Sequence, residues 1–312
     1  MIKNTNNKLI VILGPTASGK TKLSISLAKR FSGEIINADS RIFYKELNIG
    51  TDKPIKTKNK KQKAKEYIVN GVPHHLIDIL KPNQKFSIAE YQKLAKEKIK
   101  EIQNRKRIPF LVGGSPLYLE SVIYNYEIPK IPPDFKFRKK LEKKSLKNLV
   151  SKLLKLDPDT EGAVDLKNKR RVIRALEILS KVSKGPSLAN LAKKLPKNIL
   201  LLGLKTERET LYQKINKRVS EMLKKGLEKE VKRVVKKYGS DAPALSGIGY
   251  RQIVKYLKGE ITKEEAIELV KRDSRRFAKR QFTWFKRDRN IKWISTPKEA
   301  VSKIKIFLKF TK

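Results

Sequence analysis

The sequence predicts an α/β fold: a core built on a parallel sheet, carrying a helical insertion. Three observations predict it. An apolar run, Leu9 to Leu13, is followed by a glycine-rich loop and then by helical spacing. Two further apolar runs, Ile108 to Val112 and Ile199 to Leu204, read as buried strands far apart in the chain. Between them, from about residue 125 to 197, the texture turns helical, basic and proline-bounded. The expected division is therefore 1–124 and 198–312 for the core and 125–197 for the insertion.

The loop after the first strand is Gly14-Pro15-Thr16-Ala17-Ser18-Gly19-Lys20-Thr21. It has the G-x-x-x-x-G-K-[ST] pattern of a nucleotide-binding, typically ATP-binding, P-loop. Its context is the required one, strand before and helix after. The glycines let successive backbone N–H groups face phosphate oxygens. The helix beginning near Lys20 turns its positive end to the same place. Lys20 adds a full charge, and the Thr21 hydroxyl can hold a Mg²⁺ bridging two phosphates. The loop thus binds a diphosphate or triphosphate, and by itself does not say what that group is attached to.

Glu34 to Ala38 reads as the second strand, with Asp39, Ser40, Arg41 and Ile42 following. Ligands in open α/β sheets bind beyond the carboxyl ends of strands, which puts the Asp39 carboxylate in the crevice. The alternative is a capping aspartate for the next turn. Asn48 to Pro54 is a loop, and the lysines from Lys53 to Lys65 are solvated. The only histidines, His74 and His75, lack metal-ligand spacing and read as structural. Ser87 to Arg105 is an amphipathic helix opened by a Ser87–Glu90 capping box. The strand from Ile108 ends in Gly113-Gly114-Ser115 rather than in an aspartate, which argues against ordinary ATP hydrolysis.

Ile128 to Asp134 is a proline-rich hinge, Phe135 to Ser183 is helical with a boundary at Asp157-Pro158, and Gly185-Pro186 closes the insertion. Arg170, Arg171 and Arg174 form its basic cluster. Glu209 to Tyr238 reads as one long helix, with Arg218 at the edge of its apolar stripe. An arginine there either snorkels or reaches into a site. Ala244 to Arg251 reads as a loop. Thr262 to Lys286 is a helix, and Arg272, Arg275, Arg276, Lys279, Thr283, Lys286 and Arg287 fall on one face, nearly without acid. Ala266, Val270, Phe277 and Trp284 lie opposite. That stripe is either a phosphate-tracking surface or a solvated helix face.

Composition points the same way. The chain of 312 residues has 75 Lys+Arg against 31 Asp+Glu, a net charge of +44. Such a charge opposes compaction unless polyanions partner it, so nucleic acid is the expected partner. Genome bias toward lysine explains part of the charge but not the clustered arginines. With no cysteine there is neither a disulfide nor a thiolate metal site. No run reaches membrane-spanning length and Met1 to Lys8 has no apolar signal core, so a cytoplasmic protein without a membrane partner is expected.

Taken together, these motifs resemble the bacterial tRNA dimethylallyltransferases. The resemblance rests on Gly14 to Thr21, Asp39-Ser40, Ile49 to Pro54, Val112 to Ser115, Gly249-Tyr250-Arg251-Gln252 and Lys279-Arg280-Gln281-Phe282-Thr283-Trp284-Phe285, in family order over nearly the whole chain. It implies transfer of a dimethylallyl group from dimethylallyl diphosphate to N6 of adenosine 37, next to the anticodon of tRNA. It further implies that the phosphate loop holds the diphosphate and not ATP, that Asp39 is the base, and that Thr21 with Mg²⁺ and Arg218 serve the diphosphate. The tRNA anticodon stem-loop would lie between core and insertion. The expected grips are Asp39 to Ile42, Ser115, Arg170, Arg171, Arg174, Ser246, Gly247, Ile248, Gly249, Tyr250, Arg251, and Lys279 through Lys286. No base contact is assigned to the Ile42 side chain. Lys286 stands where relatives often carry arginine, keeping charge but losing the bidentate fork. A monomer is expected. The rivals are a small-molecule P-loop kinase and a non-catalytic RNA-binding NTPase.

Overall fold

The structure, a computed structural model, describes residues 7–57, 66–129, 131–162, 164–181 and 195–309. The expectations placed on residues 1–6, on 58–65 and on Gly185-Pro186 lie outside them. The chain divides into two compact units, 1–124 with 195–312, and 125–194.

The first unit is built on seven strands: β1 Leu9–Leu13, β2 Gly33–Asn37, β3 Tyr67–Val69, β4 Val72–His75, β5 Ile108–Gly113, β6 Ile199–Leu204 and β7 Lys292–Ile294. Their order across the sheet is β3-β4-β2-β5-β1-β6-β7. All pairings are parallel except the β3–β4 hairpin. Every residue of β1, β2 and β5 is buried, as a parallel sheet covered on both faces demands.

Alternate side chains serve opposite faces. Leu9, Val11 and Leu13 pack with Ile36, Leu111 and Leu201 under α2 (Ile88–Asn104) and α3 (Pro116–Ile123). Ile10 and Ile12 pack with Phe110, Leu200 and Leu202 under α1 (Lys20–Arg30) and the last helix, Pro297–Lys309. The Ser87–Glu90 box is formed in both directions at the start of α2.

Helical periodicity misleads in one place. The stretch read as a single helix to Tyr238 is two, Arg208–Lys224 and Leu227–Tyr238. The break falls at Gly226, whose φ of +94° ends one helix and opens the next. The stretch from Ala244 to Arg251 is not all loop. A 3-10 turn spans Pro243–Ser246, and a helix starts at Tyr250 and runs to Leu257. The helix Lys263–Phe285 follows, capped by Thr262 and Glu265. In chain order the insertion contributes α4, α5 and α6, described below. The core helices after it are then α7 (Arg208–Lys224), α8 (Leu227–Tyr238), α9 (Tyr250–Leu257), α10 (Lys263–Phe285) and α11 (Pro297–Lys309).

The second unit holds α4 (Phe135–Glu142), α5 (Leu146–Leu156) and α6 (Lys169–Leu179), with a 3-10 turn at Pro158–Thr160. The Asp157-Pro158 boundary falls at the end of α5. Its core is Leu141, Leu149, Leu153, Val172, Ile173 and Leu176. Glu177, fully buried, accepts from Arg138 Nη2 at 2.7 Å, from Arg174 Nη1 at 2.5 Å and from the Asp134 N–H at 2.6 Å. Although burial opposes its ionisation, these hydrogen bonds hold its carboxyl at about 2. Among the described residues of both units, no helix is long and apolar enough to cross a membrane.

Candidate active site

Strands β1, β2 and β5 end side by side, and the site lies beyond their carboxyl ends, as open α/β sheets require. The close fit begins with Gly113. A Cβ there would lie 2.2 Å from the Ala38 carbonyl oxygen, so only glycine lets β5 finish against β2. Asp39 follows immediately. Its N–H donates to Asn37 Oδ1 at 3.0 Å, and its own Oδ1 accepts the Arg41 N–H at 3.0 Å. The Asp39 carboxylate therefore closes an Asx turn and does not cap a helix. Buried Asn37 also donates to the Asp39 and Leu76 carbonyls, fixing the strand end. Ser115 Oγ accepts the Ser40 N–H at 3.3 Å.

The glycine-rich loop leads into α1, whose first turn carries no acid. Lys20 Nζ donates to the Pro15 carbonyl at 2.6 Å. Burial pushes the Lys20 ammonium down to about 8; the Asp39 charge works against that, and the Arg218 charge adds to it. Arg218 reaches in from α7 and does not snorkel. Its Nη1 donates to Thr16 Oγ1 at 3.0 Å, its Nη2 to the Thr51 carbonyl at 3.4 Å, and its Nε lies 3.6 Å from Asp52 Oδ2.

Two cavities meet at Asp39. One, of about 340 Å³, is lined by the phosphate-loop residues Thr16, Gly19, Lys20 and Thr21, with Arg218. Ile42 lines it too, beside Ile35, Ile77 and Val112. The other, of about 420 Å³, shares Thr16, Asp39, Thr51 and Arg218 with the first. Ser40, Arg41, Ser115, Ser246, Gly247, Ile248, Gly249, Arg251 and Arg280, all expected grips, border it.

Several expected grips are buried or committed to partners within the protein, Gln281 among them although it also lines the first cavity. Tyr250 is buried at 1% exposure and its hydroxyl donates to Glu230. Phe285 is buried in the core beneath the sheet. Gln281, 3% exposed, donates Nε2–H to the Gly114 carbonyl at 2.5 Å and accepts the Thr16 N–H on Oε1 at 2.9 Å. It is a clamp on the phosphate loop, with both ends of its amide engaged. Trp284 Nε1 donates to Glu120 at 2.6 Å, and Phe282 packs edge-on to Trp293 beneath Lys286. Of the stretch 279–286, Lys279, Arg280, Thr283 and Lys286 are exposed.

The basic stripe is also less free of acid than its sequence suggests. Asp273 accepts from Arg251 Nη2 at 2.6 Å and from Arg272 at 3.2 Å, and Arg275 donates to Asn216 at 2.7 Å. In the insertion, Arg174 is committed to Glu177 and to the Ile131 carbonyl, so it is an internal brace and not a surface grip. Arg171 lies 3.5 Å from Asp165, and Arg170 is exposed.

The histidines are structural. His74 Nδ1 bonds the Val72 carbonyl, and burial pushes its imidazole down to about 4, so it stays neutral. His75 Nε2 bonds Glu34 at 2.6 Å. Among the described residues no group of three or more His, Asp or Glu side chains could hold a metal ion. A Mg²⁺ here would depend on the Thr21 hydroxyl and on oxygens of a bound phosphate group, the mode usual for this hard cation.

The clamp made by Gln281 escaped the sequence reading. For Gln281 a signal existed: a neutral amide at the buried spacing of Ala278 and Phe285 within a basic stretch.

Comparison with known proteins gives the family. The IPP transferase family matches residues 42–288. A tRNA dimethylallyltransferase of Carboxydothermus hydrogenoformans is 45% identical over 306 residues, covering 96% of this chain and 95% of the relative. The crystal structure of the full-length tRNA isopentenylpyrophosphate transferase of Bacillus halodurans is 40% identical, with a TM-score of 0.71 and 97% of each chain covered. A eukaryotic dimethylallyltransferase crystallised acting on tRNA is 30% identical, with a TM-score of 0.73, covering 89% of this chain and 69% of that one. With that match across residues 42–288 and that identity across nearly its whole length, the chain belongs to the IPP transferase family, that of the tRNA dimethylallyltransferases.

Proposed function

We propose that this protein transfers the dimethylallyl group of dimethylallyl diphosphate to N6 of adenosine 37 in the anticodon stem-loop of tRNA, releasing diphosphate. The observation that carries this reading is the position of Asp39 at the meeting of a cavity lined by the phosphate loop and an arginine-bordered one. A carboxylate so placed faces the leaving group from one side and an incoming base from the other.

The adenine amine is a poor nucleophile because its lone pair is delocalised into the ring. Two things are needed as the N6–carbon bond forms and the carbon–oxygen bond to diphosphate breaks. Negative charge gathering on the diphosphate must be stabilised, and the N6 proton must be taken up. Lys20, the backbone N–H groups at the start of α1 and Arg218 meet the first need. Mg²⁺ held at Thr21 would neutralise further phosphate charge when bound. Asp39 meets the second, its Oδ1 oriented by the Arg41 N–H. The target base has to leave its stack to reach Asp39, and the second cavity offers the room.

The test is incubation with labelled dimethylallyl diphosphate and unmodified tRNA. The expected result is label on adenosine 37 and stoichiometric diphosphate. ATP-dependent phosphoryl transfer, or RNA binding without modification, would overturn the proposal.

A further inference from the structure

Glu230 lies on α8, outside both cavities, and is 2% exposed. A buried carboxylate needs partners, and these are unusual in kind. Three successive backbone N–H groups converge on it. Asn48 N–H donates to Oε2 at 2.8 Å, Ile49 N–H to Oε2 at 2.9 Å, and Gly50 N–H to Oε1 at 3.2 Å. The Tyr250 hydroxyl completes the set at 2.7 Å on Oε1. Successive N–H groups turned to one point form an anion nest, and Glu230 is the anion that fills it.

The nest belongs to the turn that holds Arg218. Asp52 N–H donates to the Ile49 carbonyl at 3.1 Å, and Lys53 N–H to the Asn48 carbonyl at 3.0 Å. The Thr51 hydroxyl donates to the Leu47 carbonyl at 2.7 Å. The turn is thus one braced piece, and its outer side presents the Thr51 carbonyl and the Asp52 carboxylate to Arg218. Gly50 admits the ring of Tyr250: a Cβ there would lie 2.5 Å from the ring carbon Cζ. No other carboxylate among the described residues reaches these three N–H groups.

We infer that Glu230 is a positioning residue: by fixing the Asn48–Asp52 turn it aims the Arg218 guanidinium at the phosphate loop. It touches neither substrate and acts through Arg218. The inference rests on the proposed use of that loop for a diphosphate. In Glu230→Gln the amide NH₂ would face backbone N–H donors, a repulsive pairing, so the turn shifts and Arg218 loses two of its holds.

The experiment uses the full chain and calorimetric titration with inorganic diphosphate in the presence of Mg²⁺. Glu230→Gln should weaken diphosphate affinity tenfold or more, roughly the loss of one charge-assisted hydrogen bond. Affinity for tRNA should change less than about twofold. Arg218→Gln should cause a loss of similar size, and adding Glu230→Gln to it should cost less than about twofold more, because the path is then already cut. Glu230→Asp, which keeps the charge, should restore part of the affinity; it also replaces Glu230→Gln in the cycle if that variant does not fold. Losses that multiply in the double variant, or diphosphate affinity unchanged in both Glu230 variants, would overturn the inference. Parent protein that fails to bind diphosphate would instead strike the donor-site reading.

Discussion

At the scale of single residues, the site divides into a charge that must be present and a charge that must accept. Lys20 is the first. Its ammonium titrates near 8, well below the ordinary lysine value, because it is buried. A bound diphosphate favours the charged form, so affinity should be greatest below that pH and fall as pH rises through it. Binding near pH 8 to 9 should also take up protons, visible as a dependence of calorimetric heat on the buffer. Lys20→Ala should abolish diphosphate binding and leave tRNA binding nearly intact; undiminished donor affinity in this variant would remove the phosphate-loop assignment. Asp39 is the second. Asparagine keeps the Asx turn through its own Oδ1 but cannot take a proton. Asp39→Asn should therefore lower the single-turnover rate by about 10² to 10⁴ with both affinities preserved. A rate within threefold of the parent would mean the proton leaves by another route.

At the scale of elements, α10 joins the arginine-bordered surface to the phosphate loop through one side chain. Gln281→Leu should strand the Thr16 N–H and the Gly114 carbonyl, each costing about 1–3 kcal/mol if left buried and unpaired. A drop in melting temperature with weaker diphosphate binding is expected; a variant matching the parent in both would show that the clamp is dispensable. The elements also show what could be read from the chain beforehand. Period and caps revealed β1, α2, β6 and α10 because those signals are local: apolar runs, a Ser87–Glu90 box, opposed basic and apolar faces. The β3–β4 hairpin was not legible, since Tyr67–Val69 and Val72–His75 are too short for a period to show. The end of α7 was missed although the apolar stripe changes face at Gly226: Met222 and Val231, nine residues apart, would lie on opposite sides of a continuous helix. In the site, Lys20 and Asp39 could be placed because a phosphate loop and a strand end have fixed chemistry, whereas Arg218 stayed open between snorkelling and reaching in until the family resemblance implied a role for it. Glu230 could not, since its partners lie about 180 residues away. Nor could the inward turn of Tyr250, which is fixed by packing and by its hydrogen bond to Glu230.

At the scale of the whole molecule, a net charge of +44 makes the response to salt the most direct measurement. If six to ten phosphates are neutralised, tRNA affinity should fall by roughly 10³-fold or more between about 50 and 200 mM salt. Arg276→Ala, at an exposed position of α10, should shallow that dependence by about one unit of slope. A flat response would make the stripe mere solvated surface. The net charge is also reached unevenly, because some cations are already spoken for, Arg251 and Arg272 by Asp273 and Arg138 and Arg174 by Glu177. The Glu177 hub bears on inheritance as well. Among the described residues, the insertion's apolar cluster draws only on residues 137–179, and its buried carboxylate takes its partners from that stretch and from the Asp134 N–H just before it. The insertion's interior is thus a packing problem of its own, in which a lineage can exchange one apolar residue for another around a fixed Glu177 hub.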